Sequence, residues 1–220
     1  MIRALIRKSS RLTKILLRMF VKLHNYSYRK ITELASFLNK DIHPKHRITN
    51  YHQFFIDRVK VSDTVLDIGC GIGYLAYDVA AKAKKVFGID ISASNIAYAK
   101  EHYKRDNLEF IVGDATAYPF KEKFDKVILS NVLEHIKDRV DFLKKIRPIA
   151  DTILIRVPME NRDWLTVYKK ELGLEYRLDA THYIEYSVET VSDEANRAGW
   201  EIESYQVNWG EFWGVLRVKP

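Results

Sequence analysis

Cysteine is nearly absent from this 220-residue chain: Cys70 is the sole example, so no intramolecular disulfide can form. That usage fits a reducing cytoplasm rather than an oxidising compartment. No Cys/His cluster shows zinc-ligand spacing, and neither an internal repeat nor a low-complexity linker is present. Long apolar runs are missing as well. In the first 23 residues Arg or Lys interrupts every one after about three residues, against about 20 for a membrane span or roughly 7 to 15 for a signal-peptide core. The expectation is a segment that neither spans nor exports. Acidic residues are scarce early on: positions 1–50 hold twelve Lys and Arg against Glu33 and Asp41, whereas the rest of the chain has 24 basic and 27 acidic side chains. The net charge of +7 therefore belongs to the N-terminal segment, and the body is mildly acidic.

What is present begins with Ile2, Leu5, Ile6, Leu12, Ile15, Leu16, Met19, Phe20 and Leu23 at three- and four-residue spacing. Residues 2–23 read as an amphipathic helix with a basic polar face. Such a helix packs its stripe on the domain or a dimer partner, or lies on anionic membrane. Nucleic acid is disfavoured, because no aromatic-interleaved basic groove accompanies the charge. A second amphipathic stretch covers Tyr28–Leu38, a break falls at His43-Pro44, and Ile48–Val59 reads as a third helix.

From Thr64 the pattern becomes alternating short apolar strands and longer amphipathic segments, the mark of βαβ units. Strands are expected at Thr64–Ile68, Lys85–Ile89, Leu108–Val112, Lys126–Ser130 and Thr152–Val157, with helices at Tyr74–Ala83, Ala93–Lys104 and Val140–Ile149. Residues 158–186 lapse into a polar, aromatic stretch too long for an ordinary connection, as site-covering insertions are. Helix returns over Val188–Ala198 with Gly199 at its C-terminal end. Trp200–Val207 and Glu211–Val218 then read as a closing antiparallel hairpin. With 47% hydrophobic residues, the chain suits one α/β domain with an appendage: a basic helical segment over 1–45 and a domain over 46–220.

Chemistry gathers at the strand ends. Asp67-Ile68-Gly69-Cys70-Gly71-Ile72-Gly73 runs from strand through glycine turn into helix, where absent Cβ atoms let backbone approach a ligand. Its Gly-x-Gly-x-Gly spacing with Asp67 ahead suits a ligand with an ammonium group better than a pyrophosphate, which the carboxylate would repel. Asp90, about 20 residues on, stands where a ribose diol is held. Asp114, ending the third strand, suits an adenine amine, and Ser130-Asn131 end the fourth at the rim where open α/β sheets bind ligands. The plainer alternative is that Asp67 and Asp90 cap the helices that follow them.

The ordered set "VLDIGCGIG", "GID", "VGDA" and "FDKVILSNVLEH" resembles the class I, Rossmann-like S-adenosylmethionine-dependent methyltransferases, over about Tyr51 to Pro220. The resemblance implies a three-layer α/β/α sandwich with a mainly parallel seven-stranded sheet and one antiparallel strand, preceded here by N-terminal helices. It implies S-adenosylmethionine as donor and S-adenosylhomocysteine as product. Asp67, Gly69, Cys70 and Gly71 would hold the methionine end, Asp90 the ribose, Ile91 an adenine face, Asp114 and Ala115 the adenine edge, and Asn131 the strand-four rim.

For the acceptor side, His135 is the first candidate base, since imidazole titrates near neutrality, and His182, in the insertion, is the second. Asn131-x-x-Glu134-His135 with His182 is similar to the metal-binding Glu-x-x-Glu-His and distal His of small-RNA 2′-O-methyltransferases. Similar ligands occur in some ubiquinone-pathway O-methyltransferases. Asn131 removes the first carboxylate of that pattern, so no bound metal is expected. The acceptor is expected to be an oxygen or nitrogen of a small molecule, sugar or glycolipid precursor, the insertion offering Trp164, Tyr168, Tyr176, Tyr183 and Tyr186 as ring faces. A quinone or lipid acceptor, or a non-catalytic donor-binding subunit, are the alternatives. The sequence carries no signal of oligomeric state.

Overall fold

The computed structural model describes residues 9–39 and 42–219. The chain divides into two compact units. One comprises residues up to Asn50 together with Trp164–Tyr176, and the other comprises Tyr51–Asp163 and the chain from Arg177 onward. Of the 158–186 stretch, Trp164–Tyr176 thus falls in the first unit and the remainder in the second.

In the first unit, helix α1 spans Ser10–Leu38 and α2 spans Lys45–Thr49. The Ser9 side chain caps α1 by accepting from the Leu12 N–H, satisfying one of the orphan donors of the first turn. Two separate amphipathic stretches were the expectation. His24-Asn25-Tyr26-Ser27, between them, contains neither Gly nor Pro, so the backbone hydrogen bonds continue without a break. The expected residues 2–8 of this helix lie outside the described ones. Helix α7, Trp164–Glu171, belongs to the same unit, and Lys169 Nζ donates to Asn25 Oδ1 at 2.7 Å. The helix expected over Ile48–Val59 is interrupted at Asn50, whose φ of +50° ends α2 before α3, Tyr51–Arg58, begins.

The second unit is built on seven strands: β1 Thr64–Ile68, β2 Lys85–Asp90, β3 Leu108–Val112, β4 Lys126–Ser130, β5 Thr152–Pro158, β6 Trp200–Asn208 and β7 Glu211–Val218. Their order is β3-β2-β1-β4-β5-β7-β6. Neighbours are parallel except at β7, which runs antiparallel to both β5 and β6. Helices α4 (Tyr74–Ala80), α5 (Ala93–His102), α6 (Arg139–Ile146) and α8 (Val188–Arg197) complete the unit, with α3.

Alternate residues of each strand face opposite sides, and two apolar clusters follow from that. Leu66, Ile68, Val127 and Leu129 pack with α6 and α8 residues such as Phe142, Leu143 and Ala195. Val65, Val86, Ile128 and Leu154 pack with Phe54, Phe55, Val79 and Ile96 of α3, α4 and α5. This is the expected three-layer sandwich. The strand order reverses between β1 and β4, and such a switch point opens a crevice at the carboxyl ends of the strands.

Candidate active site

A cleft of about 640 Å³ opens at that switch point, within the second unit. Its walls include Gly69, Asp90, Ile91, Asp114, Ala115, Asn131, His135 and Tyr183. The residues singled out from sequence for the donor and the base therefore largely meet in one place, although they come from four strand ends. Asp67, Cys70, Gly71 and His182 are not on the cleft wall.

The glycine turn is built for close approach. Gly69 has φ of +67°, and a Cβ there would come within 2.7 Å of Val132 Cγ2. Gly73, at φ of +85°, is crowded likewise: a Cβ would meet Phe110 Cζ at 2.6 Å and Ala99 Cβ at 2.9 Å. The thiol of Cys70 is buried, which pushes its pKa up and keeps it un-ionised and unreactive.

The capping alternative for the two aspartates does not hold. Asp67 lies inside β1, and Gly73 occupies the N-cap position of α4. After β2 it is Ser92 that caps α5, its side chain accepting from the Asn95 N–H. Asp90 does something else: Oδ1 accepts from the Ser92 N–H at 2.8 Å and Oδ2 from the Gly71 N–H at 2.9 Å. One bond per oxygen fixes the carboxylate and leaves each oxygen a further lone pair for a ligand. Asp114 is oriented likewise, by the Thr116 N–H and hydroxyl on its Oδ1.

Buried polar atoms without partners are few in folded proteins, and each calls for an explanation. Among the side chains of the described residues they are Asp67 Oδ2, Asn131 Oδ1 and both carboxylate oxygens of Glu134, so all of these lie at or just beyond the ends of β1 and β4. Burial, reinforced by the charge of Asp90, raises the Asp67 pKa to about 8. Burial raises that of Glu134 to about 7. Asn131 also sits at φ +57°, a region rare for residues other than glycine and common at functional sites.

Around Glu134 a second group assembles. The His135 and His182 rings stand edge to face with centroids 4.5 Å apart, and one ligand-type atom each from Glu134, His135 and His182 falls within 4.8 Å of the others. The hydrogen-bond network assigns both tautomers. The Thr181 hydroxyl gives its one proton to Asp179 Oδ1 at 2.9 Å, so at 2.9 Å from His135 Nδ1 it can only accept. His182 Nδ1 lies 3.0 Å from Glu185 Oε1, again an acceptor. Both rings therefore carry a proton on Nδ1, which in a neutral ring leaves the lone pair at Nε2. Burial and the neighbouring His182 hold the His135 pKa below the usual 6.5. Glu185 is itself fixed by Arg162 Nη1 at 2.7 Å and the Leu178 N–H at 2.7 Å. Sequence reasoning missed Thr181, Asp179 and Glu185; the i, i+3 spacing of Glu185 from His182 was the available signal.

Beside β4, Arg156 of β5 is almost wholly buried. It makes two hydrogen bonds to Glu211, at 2.6 and 2.7 Å, and stacks on the Tyr51 ring at 3.7 Å. Tyr186 is buried too, donating to Glu194 at 3.0 Å, and so offers no ring face to a ligand. Of the expected aromatic residues that belong to this unit, Tyr183 and Tyr186, Tyr183 is on the cleft wall.

Residues 66–150 match the family described as a methyltransferase domain. Over 115 residues the chain is 36% identical to the ubiquinone biosynthesis O-methyltransferase of Rhodopseudomonas palustris strain BisA53, an alignment covering 51% of this chain and 46% of that protein. The chain thus spans about half the length of the curated relatives it matches. The solved structure of a DhpI–SAH complex superposes with a TM-score of 0.64 at 19% identity, covering 89% of this chain and 95% of that one. An S-adenosylmethionine-dependent methyltransferase from Clostridium acetobutylicum superposes with a TM-score of 0.64 at 13% identity, covering 88% and 100%. The likenesses to solved structures establish the fold as that of the class I, Rossmann-like methyltransferases.

Proposed function

We propose that the methyltransferase domain carried by this chain binds S-adenosylmethionine in the switch-point cleft and moves its methyl group to a hydroxyl of a ring-bearing small molecule. The observation that carries this reading is the placement of the orphaned acceptors. Asn131 Oδ1, of a residue on the cleft wall, and Asp67 Oδ2, two residues before Gly69 of that wall, stand at the ends of adjacent strands, where the donor's ammonium would satisfy them. Asp90 would hold the ribose diol, Ile91 would lie against the adenine face, and Asp114 with Ala115 would meet the adenine edge.

The sulfonium is an activated leaving group, so the protein's share is to position the reactants, exclude water and take a proton. His135 Nε2 is the lone pair best placed to take that proton, because it belongs to a residue on the cleft wall and to a ring neutral at pH 7. A hydroxyl acceptor needs such a base. A phenolic or quinol hydroxyl is favoured over a sugar. Tyr183 offers an aromatic ring at the cleft wall, and the Rhodopseudomonas relative is named as an O-methyltransferase of ubiquinone biosynthesis.

The donor reading predicts that Asp90→Ala weakens S-adenosylmethionine binding by about 1 to 3 kcal/mol, the range for stranding polar ligand groups. Isothermal calorimetry on the two proteins measures it, and wild-type affinity in the variant would remove Asp90 from the ribose site.

A second reading of the triangle is that Glu134, His135 and His182 hold a divalent cation. It is favoured by the Nδ1 partners of both rings, since metal-binding histidines characteristically donate their other N–H to a carboxylate or a polar neighbour. Such an ion would polarise the acceptor oxygen and lower its pKa. On this reading, dialysis against a chelator lowers turnover at least about tenfold and Zn²⁺ or Mn²⁺ restores it. Unchanged turnover after chelation, with no metal found by mass spectrometry of the purified protein, leaves His135 as a metal-free base.

A further inference from the structure

Helix α1 is 29 residues long, about 43 Å at 1.5 Å per residue. Apart from Val21 its apolar side chains are not buried: Ile15, Met19, Phe20, Leu23 and Tyr26 are each at least half exposed. At about 100° per residue, Ile15, Met19, Leu23 and Tyr26 fall within one arc of roughly 80°, and Leu12 and Phe20 join or flank it. His24 lies about 140° from the centre of that arc and Asn25 about 120° from it, among the basic positions, and Lys169 of α7 meets both, at 3.2 and 2.7 Å. Within this unit, then, α7 takes the polar flank and leaves the apolar stripe uncovered.

The charge beside the stripe identifies what covers it. Arg11, Lys14, Arg18, Lys22 and Arg29 are exposed and share one edge of the helix, and no acid occurs between Ser10 and Thr32. A second copy of the chain would set this positive edge against another like it. No helix among the described residues is long and apolar enough to cross a membrane, so an apolar stripe with a cationic border suits burial at the level of lipid headgroups. We propose that α1 docks the protein reversibly, lying flat, on a membrane surface rich in anionic lipid. This proposal is independent of what the cleft binds.

Cosedimentation of the full chain with vesicles tests it. Vesicles of phosphatidylcholine with about one-quarter phosphatidylglycerol should bind the protein at about 50 mM salt, and pure phosphatidylcholine should bind it at least about tenfold less, as each Lys or Arg contributes about fivefold at an anionic surface. About 500 mM salt should release it, since screening then acts within a few ångströms. Met19→Glu with Leu23→Glu replaces two exposed side chains, and circular dichroism of this variant should match wild type while its vesicle binding falls at least about tenfold. Met19→Leu with Leu23→Met should bind as wild type. Equal binding to neutral vesicles, or no loss in the glutamate variant, overturns the proposal. So does sedimentation showing a dimer that the glutamate variant dissociates, because the stripe's occupant is then a second copy.

Discussion

His135→Asn is expected to lower turnover roughly 10² to 10⁴-fold, the usual contribution of a positioned base, while leaving S-adenosylmethionine affinity nearly unchanged. Asparagine retains a polar group near Thr181 but has no lone pair at the Nε2 position to take a proton. The pH profile separates this role from a structural one. His135 is held below 6.5 by burial and by His182, so it is neutral at pH 7 and loses function only as the medium becomes acid. Glu134 ionises around 7, so any step that needs its carboxylate falls off as pH drops through about 7. Glu134→Gln should therefore remove the limb near pH 7, leaving the lower His135 limb. Steady-state rates across pH 5 to 9 on the true acceptor, roughly the window of these groups, measure both. Unchanged turnover in His135→Asn at every pH would retire His135 as the base.

The raised pKa of Glu134 also fixes the sign of its effect on stability. About 7 in the folded chain, it lies above the ordinary value of 4.5, so between those values the folded chain holds a proton that the unfolded chain has released. The stability associated with that proton is complete below pH 4.5 and is lost as pH rises through about 7. The Glu134→Gln protein keeps its neutral amide over that rise and so gains on wild type, the opposite of what loss of a structural ion pair would give.

Glu211→Ala is expected to destabilise the fold by about 3 to 5 kcal/mol, because it strands the guanidinium of Arg156 in the interior. Arg156 is 2% exposed and relies on Glu211 for both Nε and Nη2, and Trp213 Nε1 would lose its acceptor as well. In a domain of this size the melting temperature should fall by roughly 10 °C. Arg156→Met with Glu211→Leu should recover much of the loss, since replacing both members of a buried pair by apolar groups is often near neutral. Urea unfolding followed by circular dichroism gives the comparison. A loss below about 1 kcal/mol in Glu211→Ala would mean that water reaches the guanidinium and that the pair does not anchor the interior.

The strand-end half of the candidate site was legible because its determinants are local. A glycine turn after β1 and single carboxylates at the end of β2 and just after β3 announce themselves within a few residues, and the βαβ rhythm brings their strand ends together at one rim. The same locality placed Gly199 at the end of a helix. Boundaries moved by only a few residues: β2 and β5 each run one residue further, and α4 stops at Ala80. The N-terminal helices were less legible, since an apolar stripe shows a face but not what covers it, and nothing between Leu23 and Tyr28 breaks the backbone.

What the sequence by itself determined is the order of strands and helices from Thr64 to Pro158 and from Val188 onward, the residue types at four strand ends, and the charge asymmetry of the first 50 residues, all carried by short-range pattern; it did not show the helix Trp164–Glu171. Tertiary structure alone decided the rest. Thr181 meets His135 across 46 positions of sequence, and Glu211 meets Arg156 across 55. Folding also left the carboxylate of Glu134 buried without a partner and fixed the proton on Nδ1 of both histidines. These are properties of proximity and desolvation, and neither exists until distant segments pack: a carboxylate's pKa depends on what surrounds it in space, and a tautomer depends on which acceptor the ring happens to face.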